Sequence, residues 1–177
     1  MLNRTILIAA VIGLCTACAQ FRGPGRFKEP SEYAFSASRG EAVARLPTSI
    51  PPLDETNFQL EWPVSYIRIT QNFEPKKNRR HKGLDIGGQK GTPIFAAQEG
   101  RVIYTGRGYH GYGNMILMEH GKQWATLYAH LSKITVREGQ YVAAGTAIGT
   151  MGRTGRATGV HLHFELMHNK EPVDPLA

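Results

Sequence analysis

His161-Leu162-His163-Phe164-Glu165 alternates polar and apolar residues over five positions, the period of a half-buried β-strand. Side chains on a strand change face at every residue. His161, His163 and Glu165 therefore share one face, and Leu162 and Phe164 the other. Upstream, His81-Lys82-Gly83-Leu84-Asp85 supplies one imidazole nitrogen and one carboxylate within local reach, and a further imidazole stands between in Tyr128-Ala129-His130-Leu131-Ser132. Two His and one Asp, with a fourth position left to water, is the pattern of a catalytic zinc site; a structural site fills all four positions with protein ligands. The imidazoles left over are suited to moving protons and meeting developing negative charge. The set points to a hydrolase.

Short apolar and β-branched runs occur at residues 66–70, 93–97, 101–105, 115–119, 124–129, 133–136, 140–142, 147–150 and 161–167. Gly and polar turns separate them. Beyond Trp62 there is no amphipathic run of ten or more residues that would read as a helix. The fold class expected is all-β, mostly antiparallel sheet with small β-hairpins. Two glycine-spaced segments are loosely alike: Gly91-Thr92-Pro93-Ile94 with Gly100-Arg101-Val102, and Gly139-Gln140-Tyr141-Val142 with Gly145-Thr146-Ala147-Ile148-Gly149. They resemble the lipoyl/biotinyl carrier hybrid fold, but no Lys sits at a hairpin tip as a carrier role requires.

From about Trp62 to Ala177 the chain resembles the LytM/lysostaphin-type zinc metallopeptidases, which cut peptide bonds in bacterial peptidoglycan. The strings that carry the resemblance are His81-x-x-x-Asp85, Gly91-Thr92-Pro93-Ile94, Gly100-Arg101-Val102, Gly111-Tyr112-Gly113-Asn114, Tyr128-Ala129-His130-Leu131-Ser132, Gly152-x-Thr154-Gly155 and His161-Leu162-His163-Phe164-Glu165. Ala157 and Val160 stand where the family often has Ser and Pro. The resemblance implies a duplicated, barrel-sandwich-like β domain. It also implies a Zn2+ ion held by His81, Asp85 and His163, with His130 and His161 as the catalytic histidines. It further implies a metalloendopeptidase acting on peptidoglycan stem peptides, with the D-Ala to diaminopimelate cross-link of Gram-negative murein as the bond (a D,D-endopeptidase). Some lipoproteins with this domain have lost metal ligands and activate separate murein amidases. A non-enzymatic activator, or a cell-wall binding module, is therefore the alternative class, and the presence of all five site residues favours catalysis.

Composition agrees with one modest domain and an appendage. The chain has 177 residues, 41% hydrophobic and 20% charged, with 20 Gly and 10 Pro, enough for one hydrophobic core. The formal net charge is +7, which favours polyanionic partners. No nucleic-acid-binding motif is present, and the one dense basic run is Lys76-Lys77-Asn78-Arg79-Arg80-His81-Lys82. Stem-peptide carboxylates suit such a rim as well as nucleic acid does, so a nucleic-acid partner is not expected. The sequence names no protein partner.

Residues 1–17 read as a lipoprotein-type signal peptide: Arg4 in the n-region, an apolar run from Ile6 to Leu14, then Thr16-Ala17 before Cys18. The run is too short to span a bilayer permanently. Cys18 resembles the lipid-modified first residue of a mature bacterial lipoprotein, with Cys15 where such boxes usually hold Leu. Ala19, not Asp, follows it, and by that resemblance the protein is expected at the outer membrane of a Gram-negative bacterium, facing the periplasm. The chain's 2 Cys both lie in this segment, so the mature domain has no internal disulfide. Residues 18–59, interrupted by Gly23-Pro24-Gly25, Pro30, Pro47 and Pro51-Pro52, read as a flexible tether with a short helix around 40–46. Fully extended, such a tether reaches about 130 Å. Residues 60–177 form the expected catalytic domain.

The loop at residues 152–159 lacks the Gly-Lys-Ser/Thr ending of a phosphate loop and precedes a strand, which excludes nucleotide binding. Its glycines are expected to shape a tight loop over the substrate groove. His110 reads as a turn residue, His120 as a hairpin cap and His168 as exposed. Glu165 shares the His163 face, where it either orients that ligand or serves packing.

Overall fold

The computed structural model describes residues 27, 58–74 and 81–177. The signal segment, Cys18, most of the tether with its expected helix, and the basic residues 76–80 lie outside the described residues. Among the described residues the secondary structure is β throughout: β1 (Ile69–Gln71), β2 (Leu84–Gly87), β3 (Pro93–Phe95), β4 (Gly100–Gly106), β5 (Met115–His120), β6 (Trp124–Ala129), β7 (Lys133–Ile134), β8 (Tyr141–Val142), β9 (Ala147–Thr150), β10 (His161–His168) and β11 (Glu171–Val173). The larger sheet runs β1-β2-β10-β6-β5-β4-β8, with β11 also paired to β10, and the smaller runs β3-β9-β7. Every strand pair is antiparallel. The all-β, antiparallel expectation holds.

The two glycine-spaced segments pair with each other. Strand β3 of the first lies against β9 of the second, and β4 of the first against β8 of the second. Exchanging the segments maps each of these pairs onto the other, as a local two-fold relation requires. Glycine and turn residues keep the strands short, so neither segment can bury its apolar face without the other.

Two strands escape the sequence reading. Strand β2 is short and begins after Gly83, where a Cβ would stand 2.2 Å from the Phe164 carbonyl oxygen. That glycine reflects close backbone approach to β10 rather than a chain break. Strand β11 carries Pro172 and forms only against the end of β10. Strand β1 starts at Ile69, later than the pattern from residue 66 suggested.

The core forms on one face of the larger sheet. Leu162, Phe164 and Leu166 of β10, Leu84 and Ile86 of β2, and Tyr128 of β6 are fully buried, each aliphatic or Phe side chain stabilising the fold by about 1.5–3 kcal/mol. Phe27 stacks on Trp62 at 3.9 Å between ring centroids, and Phe58 on Trp124 at 4.4 Å. Both Phe residues belong to the segment read as tether, and both are buried. Contrary to expectation, His168 is half-buried, stacked on Trp124 at 4.2 Å. His120 ends β5 at the hairpin, as expected of a cap, but is completely buried.

Candidate metal centre

Strand β10 is the middle of three, and its alternation separates chemistry from core. Leu162 and Phe164 face the core while His161, His163 and Glu165 face the other side. Register then selects neighbours: His163 lies opposite Asp85 on β2 and opposite Ala129 on β6. Asp85 sits between core-facing Leu84 and Ile86, so its carboxylate takes the same side as His163. His81, four residues before Asp85, completes a group whose ligand atoms all lie within 4.8 Å of one another: His81, Asp85 and His163.

His130 arrives differently. Tyr128 faces the core, so a continued strand would send residue 130 there too. Instead the strand ends, and His130 adopts a left-handed backbone with φ 63°, which costs a non-glycine residue on the order of 1 kcal/mol. Its N–H donates to the Tyr112 carbonyl at 2.9 Å and its Nδ1 lies 2.7 Å from the Thr154 carbonyl. Those bonds hold the ring 4.7 Å, centroid to centroid, from His161.

Hydrogen bonding sets which nitrogen faces the cleft. A backbone carbonyl only accepts, so the ring nitrogen beside it carries the proton. His81 Nδ1 is 3.0 Å from the Asn72 carbonyl, His130 Nδ1 is bonded to Thr154 as above, and His161 Nδ1 is 3.0 Å from the Gly159 carbonyl. In each of the three rings Nε2 is left with a bare lone pair. Among the described residues His81 Nε2 is buried without a hydrogen-bond partner, 3.1 Å from Asp85 Oδ1, and His161 Nε2 is 3.7 Å from Asp85 Oδ2. His163 Nδ1 is 2.8 Å from Asp85 Oδ1, while its Nε2 is 2.9 Å from Glu165 Oε1. Glu165 Oε1 also accepts from the Tyr112 hydroxyl at 2.7 Å.

The electrostatics follow. Burial pushes Asp85 upward, but the hydrogen bond from His163 and the close approach of the His81 ring outweigh it and bring its pKa down to about 2. Burial opposes a charge on His163, yet the Asp85 and Glu165 carboxylates prevail and raise it to about 9. His130 is lowered, chiefly by burial. Tyr112 is raised by burial and by its bond to Glu165. Bare nitrogen lone pairs turned toward a carboxylate make a site short of positive charge. A divalent cation fits it: the donor set is N, N and O, as zinc prefers, and His81 Nε2 has no other partner.

These residues line a cleft of about 610 Å³, with Gln71, Lys82, His110, Gly111, Tyr112, His130, Arg156, Thr158 and His161 around the triad. All five residues singled out from the sequence thus meet in one place. Glu165 Oε1 lies beside His163 Nε2, the contact that an orienting role requires. His110 is a turn residue, as expected, but also borders the cleft, and the loop at 152–159 contributes Arg156 and Thr158 to its wall. Sequence reasoning gave no role to Tyr112 or Arg156, and placed Lys82 only within the basic run before the site. Tyr112 lay inside a quoted motif, yet nothing local indicates that it reaches Glu165, 53 positions away.

Residues 79–175 match the model of a known family, Peptidase family M23. The "Lipoprotein NlpD/LppB homolog" of Pseudomonas aeruginosa is 45% identical over 115 residues, 65% of this chain and 38% of that protein. The "Murein hydrolase activator NlpD" of Escherichia coli is 45% identical over 115 residues, 65% of this chain and 30% of its own. The "Peptidoglycan DD-endopeptidase ShyA" of Vibrio cholerae is 41% identical over 123 residues, 65% of this chain and 28% of its own. The chain therefore spans roughly a third of the length of these relatives. Among solved structures, a zinc-containing peptidase from Vibrio cholerae superposes with a TM-score of 0.62 at 37% identity, covering 66% of this chain and 38% of that one.

Proposed function

The chain belongs to peptidase family M23, and from that premise we propose that it is a zinc-dependent endopeptidase cutting peptide cross-links of bacterial peptidoglycan. The observation that carries this reading is the convergence of Nε2 lone pairs from His81, His130 and His161 on the cleft that holds Asp85 and His163. A bare cell-wall binding module has no use for such a set. His81, Asp85 and His163 would hold the ion. When bound, zinc supplies Lewis acidity and lowers the pKa of a bound water toward neutrality.

The chain's own residues do the rest. Asp85 balances the positive charge. Glu165 accepts from His163 Nε2 and so directs Nδ1 at Asp85 and the cleft. His130 Nε2, on a ring kept neutral by burial, takes a proton from the attacking water or returns one to the leaving amine. His161 Nε2 stands on the same side and hydrogen-bonds the developing oxyanion or shares the proton transfer. Strands β2 and β10 fix Asp85, His161, His163 and Glu165, and the Tyr112 and Thr154 carbonyls fix His130, before substrate arrives.

In the intact protein, Cys18 carries lipid, residues 18–59 form the tether, docked on the domain at Phe27 and Phe58, and residues 60–177 form the catalytic domain, at the outer membrane facing the periplasm. The relative named as a lipoprotein supports the anchor. The bond proposed is D-Ala to diaminopimelate, supported by the relative named as a DD-endopeptidase. The relative named as an activator favours a second reading, that the chain stimulates a separate murein hydrolase. Incubating the purified mature chain with muropeptide dimers tests both. Monomers appearing with metal and vanishing with chelator are the expected result. Intact dimers under both conditions, with release of material from sacculi only when an amidase is added, would establish the second reading instead.

A further inference from the structure

The cleft wall contains two cations that the mechanism does not use. Lys82 directly follows His81, and Arg156 comes from the loop between β9 and β10. Both line the cleft and both are exposed. Among the described residues neither forms an ion pair. The one carboxylate in the cleft lining is Asp85, and its two oxygens face His81, His163 and His161. Lys82 and Arg156 thus have no acidic counterpart within the cleft.

The backbone beneath Arg156 is held firmly. Its N–H donates to the Gly111 carbonyl at 2.8 Å, and Thr154 Oγ1 accepts from the Asn114 N–H at 2.9 Å while donating to the Leu131 carbonyl at 3.0 Å. Gly155 has φ 71°, and a Cβ there would stand 2.4 Å from both the Gly111 oxygen and the Gly113 nitrogen. Only glycine admits this approach, which fastens the loop to the turn before β5. Among the described residues the guanidinium has no ion-pair partner, and its base is fixed. A planar guanidinium matches a carboxylate with two parallel N–H bonds, and a nearby ammonium adds charge without directional demand.

We infer that Arg156 and Lys82 form a subsite for a free carboxylate of the bound peptide, with Arg156 as the group that selects acidic over amidated substrates. The inference rests on the peptidoglycan reading for the identity of that peptide, but the subsite itself requires only a peptide ligand in the cleft. A carboxylate docked there is fixed relative to the metal centre through His81, the immediate neighbour of Lys82.

The test uses the zinc-loaded mature chain and two synthetic stem-peptide dimers, identical except that one carries a free α-carboxylate and the other a primary amide beside the cross-link. Affinity is measured by calorimetry and cleavage by chromatography. The wild type should prefer the acid by about tenfold or more in Kd and in KM. In Arg156→Gln the ratio should fall to near one, Arg156→Lys should recover part of it, and Lys82→Gln should lower it less. Zinc content, by elemental analysis, should match wild type in all three. A wild type without preference, or Arg156→Gln with the full ratio, would overturn the inference. If neither dimer is cleaved, the endopeptidase reading fails on its own, and the Kd ratio still decides the subsite.

Discussion

Asp85 and His163 are opposed cross-strand partners, and Asp85 Oδ1 lies 2.8 Å from His163 Nδ1. The contact spans 78 positions of sequence and exists because β2 pairs with β10 in this register and no other. A shift of one residue would turn Asp85 into the core and bring Leu84 or Ile86 to the cleft face. Burial of Leu84, Ile86, Leu162 and Phe164 on the opposite face therefore enforces the placement of the Asp85 and His163 side chains. The hydrophobic core and the candidate metal centre are two faces of one strand pairing.

If His81, Asp85 and His163 hold the ion, the mature chain should carry about one zinc, and His163→Ala should lose metal and activity together. Elemental analysis after dialysis reads the outcome. Full occupancy in the variant would remove His163 from the ligand set.

His130→Ala and His161→Ala should keep their zinc but lose turnover, each by about 10²-fold or more if the ring moves a proton in the transition state. Near-normal steady-state rates on a muropeptide dimer would exclude the affected ring from the chemistry.

Glu165→Gln retains the shape of the buried side chain but replaces the carboxylate that His163 and Tyr112 address. Loss of such a partner typically weakens metal binding by about 10–100-fold, and competition with a chromogenic chelator measures it. Tyr112→Phe should have a smaller effect in the same direction. Wild-type affinity in Glu165→Gln would assign Glu165 to packing alone.

His120 lies away from the cleft and gives a pH dependence of its own. Burial, partly offset by its hydrogen bond to the Glu99 carbonyl, pushes its pKa down to about 4. Its Nε2 meets Thr126 Oγ1 at 2.8 Å, and that hydroxyl lies 3.0 Å from Tyr128 Oη. The folded state keeps the ring neutral, while the unfolded chain binds a proton near pH 6.5. Stability should therefore be undiminished above about pH 6.5, fall as pH drops toward 4, and lose nothing further from this group below that. The loss is on the order of 3 kcal/mol. Urea unfolding of the metal-free protein should show a shallower slope over this range in His120→Gln, although that variant is less stable at neutral pH. Parallel slopes would show that His120 is not the source.

The lipid-anchor proposal predicts that Cys18→Ser leaves the outer-membrane fraction, because acyl chains and not the domain hold the protein there. Unchanged fractionation, with no lipid label on the wild type, would reject it.

Sequence alone determined the fold class and picked out five residues that the fold brings to one cleft. Period-two alternation at residues 161–165, glycine-punctuated short strands and the absence of helical periodicity are local signals, set by how a strand presents its side chains. The five site residues were likewise legible, since imidazoles and a carboxylate at short fixed spacings are scarce enough to stand out. Strand β2 was not legible, although it holds Asp85. Its glycine-flanked run is too short to declare itself and forms because β1 and β10 lie on either side. Nor could the chain reveal that Tyr112 reaches Glu165, that His130 leaves its strand through a left-handed backbone, or that Phe27 stacks on Trp62. Those contacts join distant segments, and packing decides them. The tertiary structure also decided which nitrogen of each ring faces the cleft, because that choice belongs to the backbone carbonyls of Asn72, Thr154 and Gly159, whose positions only the folded chain defines.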